Sequence, residues 1–500
     1  MIFGSRKMKY AKLVAKESGD SVLTAAAKMK KANERFGVTY REYYQREFWK
    51  LSFTQQARES KKTDGNHNRR QRALDHIRKE TGWTEEEIIA KMRALNEPGI
   101  YKVIAFIYDR YEIYKMDDDK AEAFVRLLAR RQELIDSLRE NFKKIDKGEL
   151  SYEDTASDLQ EYEQIMETVV PDSLVEASAE ILEPAYPGIT EDKPRLRRAA
   201  VDMESTRLLL RFNNTEFIMF DLLNKTLPQR RNFINEEERA VVLNSINDMS
   251  QADNLDNKYV TYQYLEPYYG RDMIHISSSA DYGKFKEFCD GNEEFVRKLD
   301  FDSMGRGVVP YTAEGDLLQL FKKLLDECPD GFICEGLIKA HPVIKALNPD
   351  SVNTVRLITY FDGKETHVHK CFMKIGQKGS FVDNGGAGGI FAAVNDEKGF
   401  FESNGIDEKG RRYDTHPYTG IKIEGYQLPA WDEALALGRE ISSMIPGFRF
   451  IGWDLTYTED NEWIIVEGNS ITQFLGQQST RNLGAKKSLI DLVGFTGDLY

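Results

Sequence analysis

From Thr84 to about Leu182 the apolar residues recur at the three- and four-residue spacing of a single helix face. In Thr84-Glu85-Glu86-Glu87, ahead of Ile88, Ile89, Met92 and Leu95, the Thr84 hydroxyl is placed to cap a helix while Glu87 reaches back, which predicts a capping box. Asp117, Asp118 and Asp119 precede a second periodic run through Ala121, Phe124, Leu127, Leu128, Leu134 and Leu138; acids at that point meet the positive end of a helix dipole, and this reading is preferred to a metal site. Proline and glycine in Glu183-Pro184-Ala185-Tyr186-Pro187-Gly188, continuing to Pro194, interrupt the periodicity and mark a candidate boundary. Helices are expected to resume over residues 195–223 and 236–249. After about residue 270 the pattern changes to short β-rich runs at 272–276, 354–361, 366–375 and 448–457, separated by glycine-rich turns and single helices, so the second half reads as an α+β domain.

One of these runs carries chemistry. Arg449 to Tyr457, a polar turn over 458–462, and Trp463-Ile464-Ile465-Val466-Glu467-Gly468-Asn469 read as a β-hairpin. A turn centred on Asp460-Asn461 sets Asp454 opposite Glu467, and Asn469, two residues on, shares the Glu467 face. Two carboxylates so close repel unless a cation lies between them, and a magnesium ion takes such a set of oxygens, with waters and phosphates completing its shell. The competing reading is an exposed face with two solvated acids.

Upstream, Lys298 ends the run Phe295-Val296-Arg297-Lys298 and leads into Asp302-Ser303-Met304-Gly305-Arg306-Gly307, which suits an ammonium on phosphates beside a loop whose backbone approaches them closely. The loop fits neither the Walker A nor the dinucleotide fingerprint, and two nearby glycines also suit an ordinary turn. Gly331 to His341 reads as a strand ending in polar groups. Arg356, on an apolar strand, needs an anionic partner if it points inward. Residues 381–390, with Gly385, Gly386, Gly388 and Gly389, form a loop of minimal side chains suited to close approach or movement over a substrate. His367 and His369 stand two apart without an apparent third metal ligand, which favours a surface strand.

The chain has 500 residues, 41% hydrophobic and 30% charged, enough for two or three domains with real cores. Its four cysteines, Cys289, Cys328, Cys334 and Cys371, have no C-x-x-C spacing and read as reduced thiols in a cytoplasmic protein. No secretory signal or membrane-spanning stretch is found, so a soluble protein is expected. The net charge of −13 argues against nucleic-acid affinity, yet residues 1–80 carry roughly +11 and the rest roughly −24. Such a basic arm suits an acidic partner, a polysaccharide or a membrane surface, or else docking on the chain's own acidic body.

Taken in order, Leu255-Asp256-Asn257-Lys258, Phe295 to Lys298 with Gly305-Arg306-Gly307, Glu335 to His341, Asn353-Thr354-Val355-Arg356, Asp383-Asn384 with Gly388-Gly389, Gly452-Trp453-Asp454 and Glu467-Gly468-Asn469 resemble the ATP-grasp superfamily. They are most similar to bacterial sugar-transfer-associated, α-L-glutamate-ligase-like members. The resemblance covers about half the chain and none of residues 1–200. It implies an α+β ATP-grasp fold, two subdomains clasping ATP, over residues 281–500, preceded by a helical domain with a basic arm at 1–190 and a helical segment at 191–280.

Carried over by residue, the resemblance puts Lys298 on the α- and β-phosphates and the Gly305, Arg306, Gly307 loop over the triphosphate. Glu335, Gly336, Leu337 and Ile338 form the hinge against adenine, with His341 as a nucleotide or ribose contact. Arg356 lies near the transferred phosphate, and Asp454, Glu467 and Asn469 are ligands of Mg2+. Lys374 stands where relatives often carry arginine; it keeps the charge but loses the bidentate fork, which bears on the substrate-side anion contact.

The implied activity is ATP-dependent ligation of a carboxylate-bearing small molecule, sugar or peptide to an amine acceptor, through an acyl phosphate, in polysaccharide or peptide tailoring. Two alternatives stand beside it: a kinase acting on a hydroxyl, and a non-catalytic ATP-binding module of an assembly complex.

Overall fold

A computed structural model describes residues 69–300, 307–497 and 499. Gly305, Arg306 and most of the basic arm therefore lie outside the described residues. The chain divides at Val241 and Val242 into two compact units. The expected breaks at 190 and 280 do not coincide with that division, and side-chain chemistry accounts for both differences.

The helical unit contains the described part of Lys61–Val241 together with Lys409–Arg411 and the residues after Arg481. Its helix Glu85–Asn96 begins with the expected capping box: Thr84 Oγ1 accepts the Glu87 N–H at 3.3 Å and Glu87 accepts the Thr84 N–H at 2.7 Å. Asp117 caps the 29-residue helix Asp118–Asp146 by accepting the Lys120 N–H. At 183–190 the Glu183 carboxylate accepts the N–H groups of Gly188 and Thr190, with Gly188 in the left-handed region at φ 79°. That proline-glycine stretch is a self-capped turn between the helices Asp172–Leu182 and Lys193–Leu209, both within the helical unit. The unit also buries a charged knot. Glu204 accepts two hydrogen bonds from Arg110, two from Arg207 and one from the Tyr111 hydroxyl, which in turn accepts from Arg131.

The second described unit, Val242–Glu408 with Arg412–Arg481, is α+β. Residues 242–280 belong to it because the buried Asn247 amide is fully used inside it. Its Nδ2 donates to the carbonyls of Phe450 and Ser470, and its Oδ1 accepts the N–H groups of Arg449 and Phe450. A buried amide so engaged ties its segment to the strands it serves.

Two antiparallel sheets build this unit. The smaller has β1 (Met273–Ile276), β2 (Glu294–Lys298), β3 (Val309–Thr312) and β4 (Phe332–Gly336) in the order β1-β4-β2-β3. Alternation along its strands sends Phe295, Phe332 and Cys334 into a core with Phe285, Phe288, Phe321 and Leu324 of two helices. Val296, Lys298 and Glu335 occupy the alternate positions.

The larger sheet contains β5 (Thr354–Phe361), β6 (Thr366–Val368), β7 (Cys371–Ile375), β8 (Ile390–Val394), β9 (Gly405–Asp407), β10 (Arg412–Tyr413), β11 (Phe450–Tyr457) and β12 (Trp463–Asn469). Its order is β10-β9-β8-β7-β5-β11-β12, with β6 on β5. Val355, Leu357, Met373, Trp453 and Leu455 point into the main core, covered by the helix Trp431–Ser442 through Ala434, Leu435 and Ile441. That helix comes close because Gly438 lacks a side chain: a Cβ there would lie 1.9 Å from Leu357 Cδ2.

The segment after β4 is stitched to the tip of the β11–β12 hairpin. Ala340 bridges Thr458, the His341 N–H donates to the Tyr457 carbonyl, and the Glu459 N–H donates to the Lys339 carbonyl. The four cysteines are buried and unbridged. Among the described residues no helix is long and apolar enough to cross a membrane.

The Glu204 knot gives a first prediction. Burial pushes this carboxyl up, but Arg207 and Arg110 more than offset that and hold it at about 2, below its ordinary 4.5. Its contribution to stability is therefore complete above pH 4.5 and lost as the pH falls toward 2. Glu204→Gln should cost about 3 kcal/mol at neutral pH, the low end for a broken buried pair because both arginines keep some solvent access. Urea unfolding across pH should show a shallower acid limb in the variant than in the wild type.

Candidate functional site

The site is assembled on the face of the large sheet opposite its apolar core. Register places Arg356 beside Asp454 on one side and Phe372 on the other, with Thr354 beside Lys374. Thr354, Arg356, Lys374 and Asp454 therefore share one face of three adjacent strands. Room for the arginine comes from Gly452, where a Cβ would lie 2.1 Å from Thr472 Oγ1 and 3.1 Å from Arg356 Cδ.

Asp454 does stand opposite Glu467, and it gets there by an unexpected route. Tyr457, Thr456 and Leu455 pair with Trp463, Ile464 and Ile465, a register centred on Asp460 that would set Asp454 against Val466. A β-bulge after Asp454 absorbs Val466 and brings Glu467 into line, with Asn469 then opposite Gly452. Asn461, at φ 63°, supplies the left-handed residue of the tighter turn.

The charge on Asp454, which has no exposed surface, is met by the chain's own cations. Arg356 grips it with Nε to Oδ1 at 2.5 Å and Nη2 to Oδ2 at 2.9 Å, and Lys374 Nζ lies 3.0 Å from Oδ2. Asn469 Nδ2 is 3.4 Å from the same oxygen. Burial pushes the Asp454 carboxyl up, but Arg356 and Lys374 outweigh it and hold the group well below the usual carboxylate range. Lys374 also faces Asp383 Oδ1 at 3.4 Å, and Asp383 Oδ2 accepts from Thr354 Oγ1 at 2.5 Å. Burial raises the Asp383 carboxyl, and Lys374 only partly relieves it. Glu467, one third exposed, has Lys258 Nζ at 3.8 Å.

A second ion cluster lies on the small sheet. Glu335 is buried between Lys298, at 2.7 Å, and Arg271, whose Nε donates to it at 2.7 Å. Burial raises its carboxyl, while Arg271 and Lys298 bring it down to about 2. Burial in turn lowers the Lys298 ammonium, partly countered by Glu335.

Both clusters open onto one cavity. Lys298, Glu335, Gly336, Leu337 and Ile338 line it from the small-sheet side; Lys374, Asp383, Asp454 and Glu467 line it from the large-sheet side. An adjoining polar cavity continues past Lys258 and Glu467 to Arg356, Asn469 and Ser470. Asp454, Glu467 and Asn469 offer the hard oxygen donors a magnesium ion requires, provided the cations now on Asp454 give way.

The structure brings together Lys298, Glu335, Gly336, Leu337, Ile338, Lys374, Asp454 and Glu467 of the predicted residues, with Arg356 and Asn469 at the adjoining cavity. His341 is not among the lining residues: its Nδ1 accepts the Val343 N–H and starts the helix Pro342–Leu347, with the ring against Tyr457. The Glu335 carboxylate is held by two cations, Lys298 and Arg271. Gly307 is described, at φ 75°, without its loop partners.

His367 and His369 do not act as a pair. His367 faces Asp362 at 3.1 Å, with Glu365 completing an exposed group, whereas His369 is buried beside Phe450 and Phe474 and burial lowers its imidazole to about 4. Arg271 escaped the sequence reading altogether. The one available signal was Glu335, a carboxylate on an apolar strand that must find a cation if buried.

Residues 320–490 match the family described as sugar-transfer associated ATP-grasp. No curated protein matches the sequence. Similar solved structures include the ATP-grasp ligase PsnB complexed with minimal precursor (12% identity, TM-score 0.31, 50% of this chain and 62% of that one). Others are the D-alanine-D-alanine ligase from Coxiella burnetii (12%, 0.31, 56% and 64%) and the L-amino acid ligase from Bacillus licheniformis (16%, 0.29, 47% and 45%). The matched region thus spans less than two thirds of each of these proteins. Superpositions of this quality carry no part of the assignment. It rests on the family match and on the order of motifs around a cavity between two antiparallel sheets: the chain has the ATP-grasp fold, and its residues 320–490 are similar to the sugar-transfer associated ATP-grasp family.

Proposed function

We propose that the chain is an ATP-dependent carboxylate-amine ligase that forms an amide through an acyl phosphate, releasing ADP and phosphate. The observation that carries this reading is the opposition of Asp454 and Glu467, beside Asn469, in a cavity that also holds Lys298, Gly336, Leu337 and Ile338. A site with phosphate-seeking cations at one end and a cation-seeking acid pair at the other suits a nucleotide triphosphate with its metal.

In this reading Gly336, Leu337 and Ile338 border the adenine, Lys298 holds the α- and β-phosphates, and the Gly305–Arg306–Gly307 loop covers the chain of phosphates. Asp454, Glu467 and Asn469 would hold Mg2+, which supplies charge neutralisation of the triphosphate when bound. Arg356 and Lys374 then stabilise the phosphoryl group as a substrate carboxylate oxygen attacks it and the bond to ADP breaks. An amine nitrogen next attacks the acyl carbon, the acyl–oxygen bond breaks, phosphate leaves, and the amine's proton passes to solvent. No nucleophile from the protein is required. Polysaccharide or peptide tailoring is the setting we favour, with a sugar acid or peptide carboxylate as donor.

Product analysis tests the reading. Purified protein with ATP, magnesium and a pool of cellular carboxylates and amines should release ADP and free phosphate in equal amounts, and Asp454→Asn with Glu467→Gln should abolish the stimulation. Phosphate retained on an acceptor would make the protein a kinase; no stimulated turnover with any acceptor would make it a binding module. Lys298→Met should weaken ADP binding by roughly 10-fold to 100-fold, the loss of one charge-assisted contact of about 1.5–3 kcal/mol, measured by calorimetry. Unchanged ADP affinity would remove Lys298 from the phosphate site.

A further inference from the structure

Lys374 stands between two buried carboxylates, 3.0 Å from Asp454 Oδ2 and 3.4 Å from Asp383 Oδ1. Asp454 Oδ2 already takes Arg356 Nη2 and faces Asn469 Nδ2, so with Lys374 in place it has no further lone pair to offer. Asp383 is differently placed. Thr354 pins its Oδ2, fixing the carboxylate with Oδ1 toward the lysine, and the whole group is buried in the cavity wall.

We propose that Lys374 holds the place of a divalent cation on Asp454, and that Asp383 is the seat to which its ammonium moves when that cation binds. The inference rests on the reading of Asp454, Glu467 and Asn469 as the cation-binding set. An ammonium displaced from Asp454 in a buried wall would be left without a counter-charge, at high cost, unless another carboxylate received it. Asp383 receives it after a shift of a fraction of the side chain's length. Lysine is the residue suited to this, since a flexible point charge slides between two acids where a planar guanidinium fork would have to break paired bonds. Asp383 is thus a positioning residue. It acts through Lys374, keeping that side chain charged and facing the cavity in both states.

The test uses the full chain with Mn2+ as the probe, followed by paramagnetic resonance with and without ADP, and ADP affinity in EDTA as the metal-free control. Asp383→Asn, which retains the Thr354 hydrogen bond, should weaken Mn2+ binding by roughly 10-fold to 100-fold, as loss of an outer-shell partner does, and leave ADP affinity in EDTA unchanged. Lys374→Met should bind Mn2+ at least as tightly as the wild type, and adding Asp383→Asn to it should change Mn2+ affinity less than about twofold, because no ammonium then needs a second seat. Equal weakening by Asp383→Asn in both backgrounds would make Asp383 a direct ligand and overturn the proposal, as would no weakening in either. Mn2+ binding lost in Glu467→Gln but untouched by Asp383→Asn sinks this inference alone. A wild type that binds no Mn2+ even with ADP removes the cation site itself and the inference with it.

Discussion

A carboxylate with no exposed surface in the middle of a β-sheet must be neutralised by its neighbours, and Asp454 imposes that requirement on everything around it. Arg356 answers from the adjacent strand, Gly452 is small so that the arginine has room, and Lys374 reaches across from the next strand but one. Even the bulge at Val466 serves this centre, since it turns Glu467 and Asn469 toward it. Replacing such a knot by apolar residues would stabilise many proteins.

The small sheet repeats the arrangement with opposite balance. Glu335 has two cations for one charge, so the cluster of Glu335, Lys298 and Arg271 carries a net positive charge into the cavity. At Asp454 two cations meet two buried acids, counting Asp383, with Glu467 close by. The small-sheet end of the cavity is thereby disposed to anions, while at the large-sheet end, with Lys258 beside Glu467, three cations balance three acids. The polarity follows from counting side chains and needs no fine geometry.

What was legible in the sequence was local. The short β-rich runs marked β5 and β11 to within about two residues, and the Thr84 capping box appears as written, because both depend on residues close together in the sequence. The opposition of Asp454 and Glu467 was also readable, although the turn and the bulge each differ by one residue and the two differences cancel. Contacts over long separations were not readable. Arg271 meets Glu335 from 64 residues away, and Arg356 meets Asp454 from 98. Proline and glycine at 183–188 announce a turn, but only the folded chain shows Glu183 closing it inside one unit and Asn247 binding its segment to β11.

The stitching of residues 339–341 to the hairpin tip gives the cavity a ruler. Thr458, where the segment after β4 is tied down, lies four residues along from Asp454, about 13 Å at the rise of an antiparallel strand. The span between the Gly336–Ile338 wall and the acids is thereby set by the rise of a single strand. A ligand lying between them is gauged by its length.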